Sequence, residues 1–185
     1  MKAQVHNFFF IALQLLILCV FCQCHFYNKK NMKYNFDFYT QYNQFYIADK
    51  FSKADTGSED FWNNTAYNER LAILGNTLGI RIQSYGHVKG EIIILEKASE
   101  EVNHKFFDHI VEGGIDVNSG LLEILDCPNS NLELEIKLNP QRYRFRIYSS
   151  NLSSVIDDDG DDYYKIEIWP DNDMERKVLK LYNSH

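Results

Sequence analysis

Apolar and polar residues alternate along most of the chain after residue 32. Tyr34, Phe36 and Phe38 occupy every second position of the first such run, and in Leu132–Leu138 leucine and isoleucine alternate with glutamate and lysine. A repeat of two residues is typical of a strand with one face in the core and the other in water. The pattern therefore predicts an all-β protein.

Turn residues separate these runs at short intervals, and Gly86, Gly90, Gly113 and Gly120 are predicted to mark turns. We expect about eight or nine strands that pack as an antiparallel β-sandwich. The strand-like runs are 34–39, Gln44–Ala48, Ile80–Ser84, Glu91–Lys97, Phe106–Glu112, Gly114–Val117, Leu121–Leu125, Leu132–Leu138, Tyr143–Ser149, Tyr163–Trp169 and Val178–Tyr182.

One short helix is predicted near the start of this pattern. Ser58 is of a type that caps helices, and Glu59 and Asp60 would lie in the first turn. The helix would carry Phe61, Trp62, Ala66, Arg70, Leu71 and Leu74 and end near Gly75. No linker or repeat interrupts residues 32–185, so we expect a single domain there.

Residues 1–31 are predicted to form a leader. Phe8 to Cys22 is apolar except for Gln14, and this length suits a signal peptide better than a membrane span, which needs about 20 residues. An uncleaved membrane tether through residues 8–22 and a translation start at Met32 are the alternatives. The first two place the protein in the cell envelope or outside the cell, and the third places it in the cytoplasm.

The charge of the chain narrows the class of partner. The net charge is −7, and loss of residues 1–31 would remove three lysines and no acidic residue, which makes it −10. Such a body repels nucleic acid and anionic membrane surfaces and favours basic proteins or metal ions. Cys127 is the only cysteine after the leader, so the domain has no intrachain disulfide.

The most acidic segment is Asp157–Asp162, in which Gly160 is the only residue without a carboxylate. We call it the acidic loop. Buried charges need partners, so these five aspartates are expected to face water, a cation or a basic protein. An EF-hand match fails, because Gly160 at position 6 puts Val155 at position 1 and Ile166 at position 12. A solvated hairpin tip, a looser calcium site and a protein-binding epitope remain open.

Catalytic chemistry is not indicated. His87, His104, His109 and Glu112 have no metal-ligand spacing, and surface histidines are the simpler interpretation. No phosphate-binding loop or nucleophile elbow is present. We therefore predict neither enzyme activity nor a cofactor.

Arg142, Arg144 and Arg146 form a basic stripe that is expected to pair with acids on a neighbouring strand, such as Glu133, Glu135 or Glu167.

Three segments carry a family resemblance. They are Tyr42–Asp49, an aromatic strand followed by an acid; Phe61-Trp62 with Gly79–Ile82 and Gly86–Val88; and Asp108–Gly120 ahead of the turn Leu138–Arg144. In these patterns residues 34–150 resemble the competence protein J family of bacterial nuclease inhibitors. The resemblance implies a small β protein that binds and inhibits a nuclease. Members lack an export signal, so the predicted leader conflicts with the resemblance unless translation starts at Met32 or the target is a nuclease of the envelope.

The sequence therefore predicts an acidic, non-enzymatic binding protein whose target is a nuclease or another basic protein. The expected partner contacts are Asp157, Asp158, Asp159, Asp161 and Asp162, with Glu112 and Asp116 as weaker candidates. The alternative is a tethered ligand-binding or adhesion module that uses its aromatic residues as the binding platform.

Overall fold

The computed structural model describes residues 31–183, and residues 1–30 of the predicted leader lie outside them. Within the described residues there are eleven strands and one α-helix: β1 (Met32–Tyr39), β2 (Gln44–Asp49), α1 (Asn64–Asn68), β3 (Leu71–Leu74), β4 (Thr77–Arg81), β5 (His87–Ile94), β6 (His109–Val117), β7 (Leu121–Leu125), β8 (Leu132–Lys137), β9 (Gln141–Ser150), β10 (Tyr163–Pro170) and β11 (Lys177–Lys180). Helix α1 has five residues, and no helix of residues 31–183 is long and apolar enough to cross a membrane.

The strands form two sheets, which confirms the all-β prediction. One sheet has the order β1-β5-β10-β9-β6-β11, and the other has the order β3-β4-β2-β7-β8. Neighbouring strands run antiparallel except β5 and β10, which pair in parallel, so the purely antiparallel prediction is wrong at this pair. The parallel pairing places the N-terminal ends of β5 and β10 side by side.

The core lies between the two sheets and is rich in aromatic side chains. Phe36 from β1 packs on Phe45 from β2, with ring centroids 5.6 Å apart, and Phe45 packs edge-on against Tyr164 from β10 at 6.5 Å. All three side chains are buried. The alternate positions of β1, β2 and β10 thus meet across the sandwich, as the period-two pattern predicts.

The predicted helix is much shorter than expected. The side chain of Asn63, not Ser58, caps the helix by accepting a hydrogen bond from Ala66 N at 2.9 Å. Arg70 has a left-handed φ of 60°, and Leu71–Leu74 then forms strand β3 beside β4. Leu71 and Ala72 are both fully buried, so this strand has no polar alternation by which a sequence pattern could reveal it.

Two of the four glycines predicted to mark turns lie inside strands. Gly86 and Gly120 have positive φ values and do lie in turns. Gly113 joins the two runs predicted around it into the single strand β6, and a Cβ atom there would be 2.5 Å from Ile73 Cδ1 of the opposite sheet. Gly90 lies within β5, where a Cβ atom would be 2.1 Å from the Tyr164 carbonyl oxygen. These two glycines permit close packing.

Candidate protein-binding surface

The acidic loop connects β9 to β10 and has a defined local structure. Leu152, in a short 3-10 turn before it, is buried and fixes the start of the connection. Ile156 and Asp159 then exchange two backbone hydrogen bonds, of 3.0 and 3.3 Å, around a tip formed by Asp157 and Asp158. Asp157 has a left-handed φ of 58°, a conformation that aspartate tolerates better than most residues.

Four carboxylates of the loop are exposed: those of Asp157, Asp158, Asp159 and Asp161. Within residues 31–183 none of them forms a salt bridge, and the only side-chain hydrogen bond is that of Asp159, which accepts from Gly160 N at 2.9 Å. Gly160 is required here, because a Cβ atom would be 2.6 Å from Val155 Cα. The loop therefore presents four unneutralised negative charges on a braced turn.

Asp162 differs from the other four and corrects the expectation that all five face water. It is buried, and its Oδ2 accepts hydrogen bonds from Gln83 N and Ser84 N, both at 3.1 Å, and from the Tyr164 hydroxyl at 2.6 Å. Burial, followed by the Asp162 charge, raises the pKa of Tyr164, so its hydroxyl remains a donor. Asp162 thus joins the loop to the segment before β5 and is not available to a partner.

Glu112 is also buried, which corrects its assignment as a surface contact. Its two oxygens accept from Arg144 Nε at 2.9 Å and from Arg146 Nε at 2.5 Å. Arg146 in turn lies 3.6 Å from Glu167. The arginines of the basic stripe therefore pair with acids on neighbouring strands, as predicted, and Glu167 is one of the predicted acids. The prediction is wrong for Glu133 and Glu135, since Glu135 pairs with Lys50 instead.

Asp116 lies far from the acidic loop. It forms a half-exposed ion pair with Arg142 at 2.9 Å, near the start of strand β9. The loop follows the other end of β9, eight residues further on, which is about 26 Å along the strand. The structure thus brings together the four exposed aspartates of the loop and separates Glu112 and Asp116 from them.

Three exposed tyrosines, which the sequence pattern does not bring together, lie beside the acidic loop. Tyr85 donates its backbone N–H to the Asp158 carbonyl oxygen at 2.7 Å. The Tyr85 ring lies edge-on to Tyr42 at 6.3 Å, and Tyr39 stacks on His87 at 4.9 Å. Tyr39, Tyr42 and Tyr85, which we call the tyrosine patch, are 74%, 60% and 40% exposed. The signal in the sequence is a set of aromatic residues at strand ends and turns, where core side chains are not expected.

A shallow cleft of 380 Å³ adjoins the acidic loop. Its walls include His87, Lys89, Asn151, Asp161 and Tyr163. Burial, followed by the neighbouring Glu91, raises the pKa of Tyr163 to about 12. His87 Nε2 also lies within hydrogen-bonding distance of the Asp37 carboxylate. The cleft carries charges of both signs, whereas the loop tip beside it is uniformly acidic.

The histidines do not converge on one site. His104 is exposed, His87 is half-buried beside Asp37, and His109 is fully buried, so the prediction of a surface histidine is wrong for His109. His109 lies next to the carbonyl oxygen of Glu69 at 3.1 Å and accepts from Tyr182 N at 3.3 Å. Residues 31–183 contain no group of three or more His, Cys, Asp or Glu side chains placed to hold a metal ion.

The fold can be compared with solved structures. No family model and no curated protein matches the chain by sequence. ComJ of Bacillus subtilis, an inhibitor of the DNA-degrading activity of NucA, superposes with a TM-score of 0.60 at 17% identity, over 76% of this chain and 98% of ComJ. The fold is similar to that of ComJ. A second match, the protein of crocagin biosynthetic gene J, has a TM-score of 0.48 at 15% identity, over 77% of this chain and 99% of its own.

The likeness to ComJ confirms the predicted resemblance at the level of the fold. It covers nearly all of ComJ, so the similarity extends over a whole domain and not over one motif. At 17% identity it identifies the scaffold but not the residues that act. The candidate binding surface therefore rests on this chain's own charges and exposed side chains.

Proposed function

We propose that this protein binds a basic, DNA-degrading nuclease and inhibits it without chemistry of its own. The observation that carries the proposal is the acidic loop, in which four exposed carboxylates lie on a turn held by backbone hydrogen bonds and by buried Asp162. A nuclease must bind phosphates, so its active-site groove is basic. Carboxylates that occupy this groove would exclude the nucleic acid backbone.

The fold of the protein supports this choice of target. ComJ, which inhibits NucA, has a similar fold. The negative charge of this chain, −7 overall, repels DNA itself and attracts a protein that binds DNA. Electrostatic complementarity of this kind mainly raises the rate of association, to values as high as about 10⁸–10⁹ M⁻¹s⁻¹ at low salt.

The test is a DNA-degradation assay with NucA, together with binding kinetics over a range of ionic strength. The informative variant replaces Asp157, Asp158, Asp159 and Asp161 with Asn and keeps Asp162. Asn has nearly the shape of Asp and tolerates the left-handed φ at position 157, so the loop keeps its conformation. We expect tenfold or slower association at low salt, weaker inhibition and a flatter salt dependence, because the steering charges are gone.

Two results would contradict the proposal. One is that the wild-type protein neither binds NucA nor slows DNA degradation. The other is that the four-Asn variant associates as fast as the wild-type protein at every ionic strength. The first result would remove the nuclease as the target, and the second would remove the acidic loop from the binding mechanism.

A further inference from the structure

The tyrosine patch lies next to the acidic loop and is joined to it. The backbone hydrogen bond from Tyr85 N to the Asp158 carbonyl oxygen, 2.7 Å long, ties the turn before β5 to the loop tip. Thr40 N donates to the Gly86 carbonyl oxygen at 2.7 Å, which ties the end of β1 to the same turn. The aromatic and acidic side chains are therefore held in one continuous surface.

The side chains of the patch have few partners among the residues that the structure describes. No hydrogen bond within residues 31–183 involves the hydroxyl groups of Tyr39, Tyr42 or Tyr85. Ile156, beside the loop tip, is 76% exposed and extends the apolar part of the surface. Large exposed aromatic side chains on an ordered turn are typical of the residues that dominate the affinity of protein interfaces.

Another tyrosine shows how this protein pairs an aromatic ring with a cation. The Arg81 guanidinium lies over the Tyr67 ring at 3.8 Å and donates through Nη2 to the Tyr67 hydroxyl at 2.9 Å. Within residues 31–183 no arginine or lysine lies over the rings of the tyrosine patch in this way, and the ring that stacks on Tyr39 is the imidazole of His87. The patch thus presents ring surface that a partner's cation could cover as Arg81 covers Tyr67.

The neighbouring charges select the chemistry of that partner. Ring faces and carboxylates both attract cations, and a guanidinium satisfies both because it is flat, weakly hydrated and forms forked hydrogen bonds. Nucleic acid bases would also stack on tyrosine, but their phosphates would meet four aspartates. A neutral glycan would gain from the rings and nothing from the loop.

We infer that Tyr39, Tyr42 and Tyr85 bind arginine side chains of a basic protein partner and supply most of the lifetime of the complex, while the acidic loop supplies its rate of formation. This inference rests on the proposed function, because it concerns the same surface and the same partner. It assigns the two halves of the surface to different kinetic steps.

The experiment compares binding kinetics with NucA for Tyr42→Ala, Tyr85→Ala and Tyr39→Ala against the four-Asn variant. Each alanine variant should raise the dissociation rate about tenfold or more and leave the association rate and its salt dependence unchanged. Tyr42→Phe and Tyr85→Phe should keep the wild-type dissociation rate, since the ring face remains. Thermal unfolding of each variant verifies that the fold is retained.

Phe51→Ala is the matched control. Phe51 is 72% exposed and lies two residues beyond one end of β2, as Tyr42 lies two residues beyond the other end. The inference is overturned if the tyrosine variants dissociate like wild type, or if Phe51→Ala has the same effect as they do. It is also overturned if the protein binds a glycan on an array, the tyrosine variants lose that binding, and the same variants bind the nuclease with wild-type kinetics.

The failures of the two proposals remain distinguishable. If the tyrosine variants dissociate like the wild-type protein and the four-Asn variant associates slowly, the tyrosine patch has no role in binding and the proposed function stands. Failure of the wild-type protein to bind NucA removes both. Fast dissociation of the tyrosine variants with normal association of the four-Asn variant leaves the patch and removes the loop.

Discussion

Two acidic residues on β6, four positions apart, show how burial changes what an ion pair does. Glu112 bonds Arg144 and Arg146, and these three side chains are 8%, 3% and 8% exposed. Asp116 bonds Arg142, and the exposed fractions of these two side chains are 39% and 53%. The first group is buried between the neighbouring strands β6 and β9, whereas the second is exposed to water and screened by it.

We expect Glu112→Gln to lower the free energy of unfolding by about 3–5 kcal/mol, because two buried guanidinium groups lose the charge of the carboxylate that they share. Asp116→Asn is the matched control and should cost about 1 kcal/mol or less. Urea denaturation of both variants measures the difference. Equal losses would show that the network around Glu112 is not desolvated as the structure has it.

His109 gives a prediction about pH. Burial, and then the charge of Arg70, lower the pKa of His109 to about 4. Its Nδ1 accepts a backbone N–H from Tyr182, and its Nε2 faces the Glu69 carbonyl, so the neutral ring with hydrogen on Nε2 fits the site. The unfolded chain protonates this histidine near pH 6.5.

The stability that His109 contributes should therefore be complete above about pH 6.5 and decrease as the pH falls toward about 4, by about 3 kcal/mol in total. Carboxylates also titrate in the lower part of this range. The quantity to measure is thus the difference in pH dependence between wild type and His109→Gln, with NMR of the imidazole as a direct check. An imidazole that titrates near pH 6.5 in the folded protein would contradict the prediction.

Among the helices and strands, the hydrophobic pattern predicted correctly those segments that have one solvent-exposed face. Leu132–Leu138 alternates because one face of β8 is exposed, and the predicted strand ends one residue after the observed one. Strand β3 is covered at Leu71 and Ala72, so its residues fit a helical pattern equally well. The ends of helix α1 depend on Asn63 and Arg70, whose cap and φ angle the hydrophobic pattern does not encode.

Helix α1 is short enough that its cap can be tested alone. Asn63→Ala removes the acceptor for Ala66 N and should reduce the free energy of unfolding by about 1 kcal/mol. Asn64→Ala, one position inside the helix, is the control and should be neutral or slightly stabilising, because alanine is the better helix former. Thermal unfolding of the two variants makes the comparison. Similar effects at the two positions would mean that Asn63 does not act as the cap.

The candidate surface could be predicted only in part. Five carboxylates around one glycine identify an exposed loop, and four of the five side chains are exposed. The sequence could not show that Asp162 is paired with Gln83 and Ser84, because that contact joins segments almost 80 residues apart. The same holds for the tyrosine patch, which the parallel pairing of β5 with β10 and the β1–β5 hydrogen bonds bring to the loop.

For the whole molecule, the association rate with a partner depends either on the total net charge or on where the charged side chains lie. The domain is acidic throughout, with carboxylates on both sheets and on several loops. At physiological salt, charges more than about 8 Å from a partner are largely screened. Only carboxylates that lie at the contact should then influence the approach of a basic protein.

A charge-matched variant separates these two possibilities. Four exposed acids outside the acidic loop, two before α1, one between β5 and β6 and one before β11, can be neutralised as Glu59→Gln, Asp60→Asn, Glu101→Gln and Glu175→Gln. This variant has the same net charge as the four-Asn loop variant. At physiological salt we expect association with NucA to slow at least several-fold for the loop variant and less than twofold for the control. Equal slowing would mean that steering is a property of the net charge, and the loop would then have no privileged role in binding.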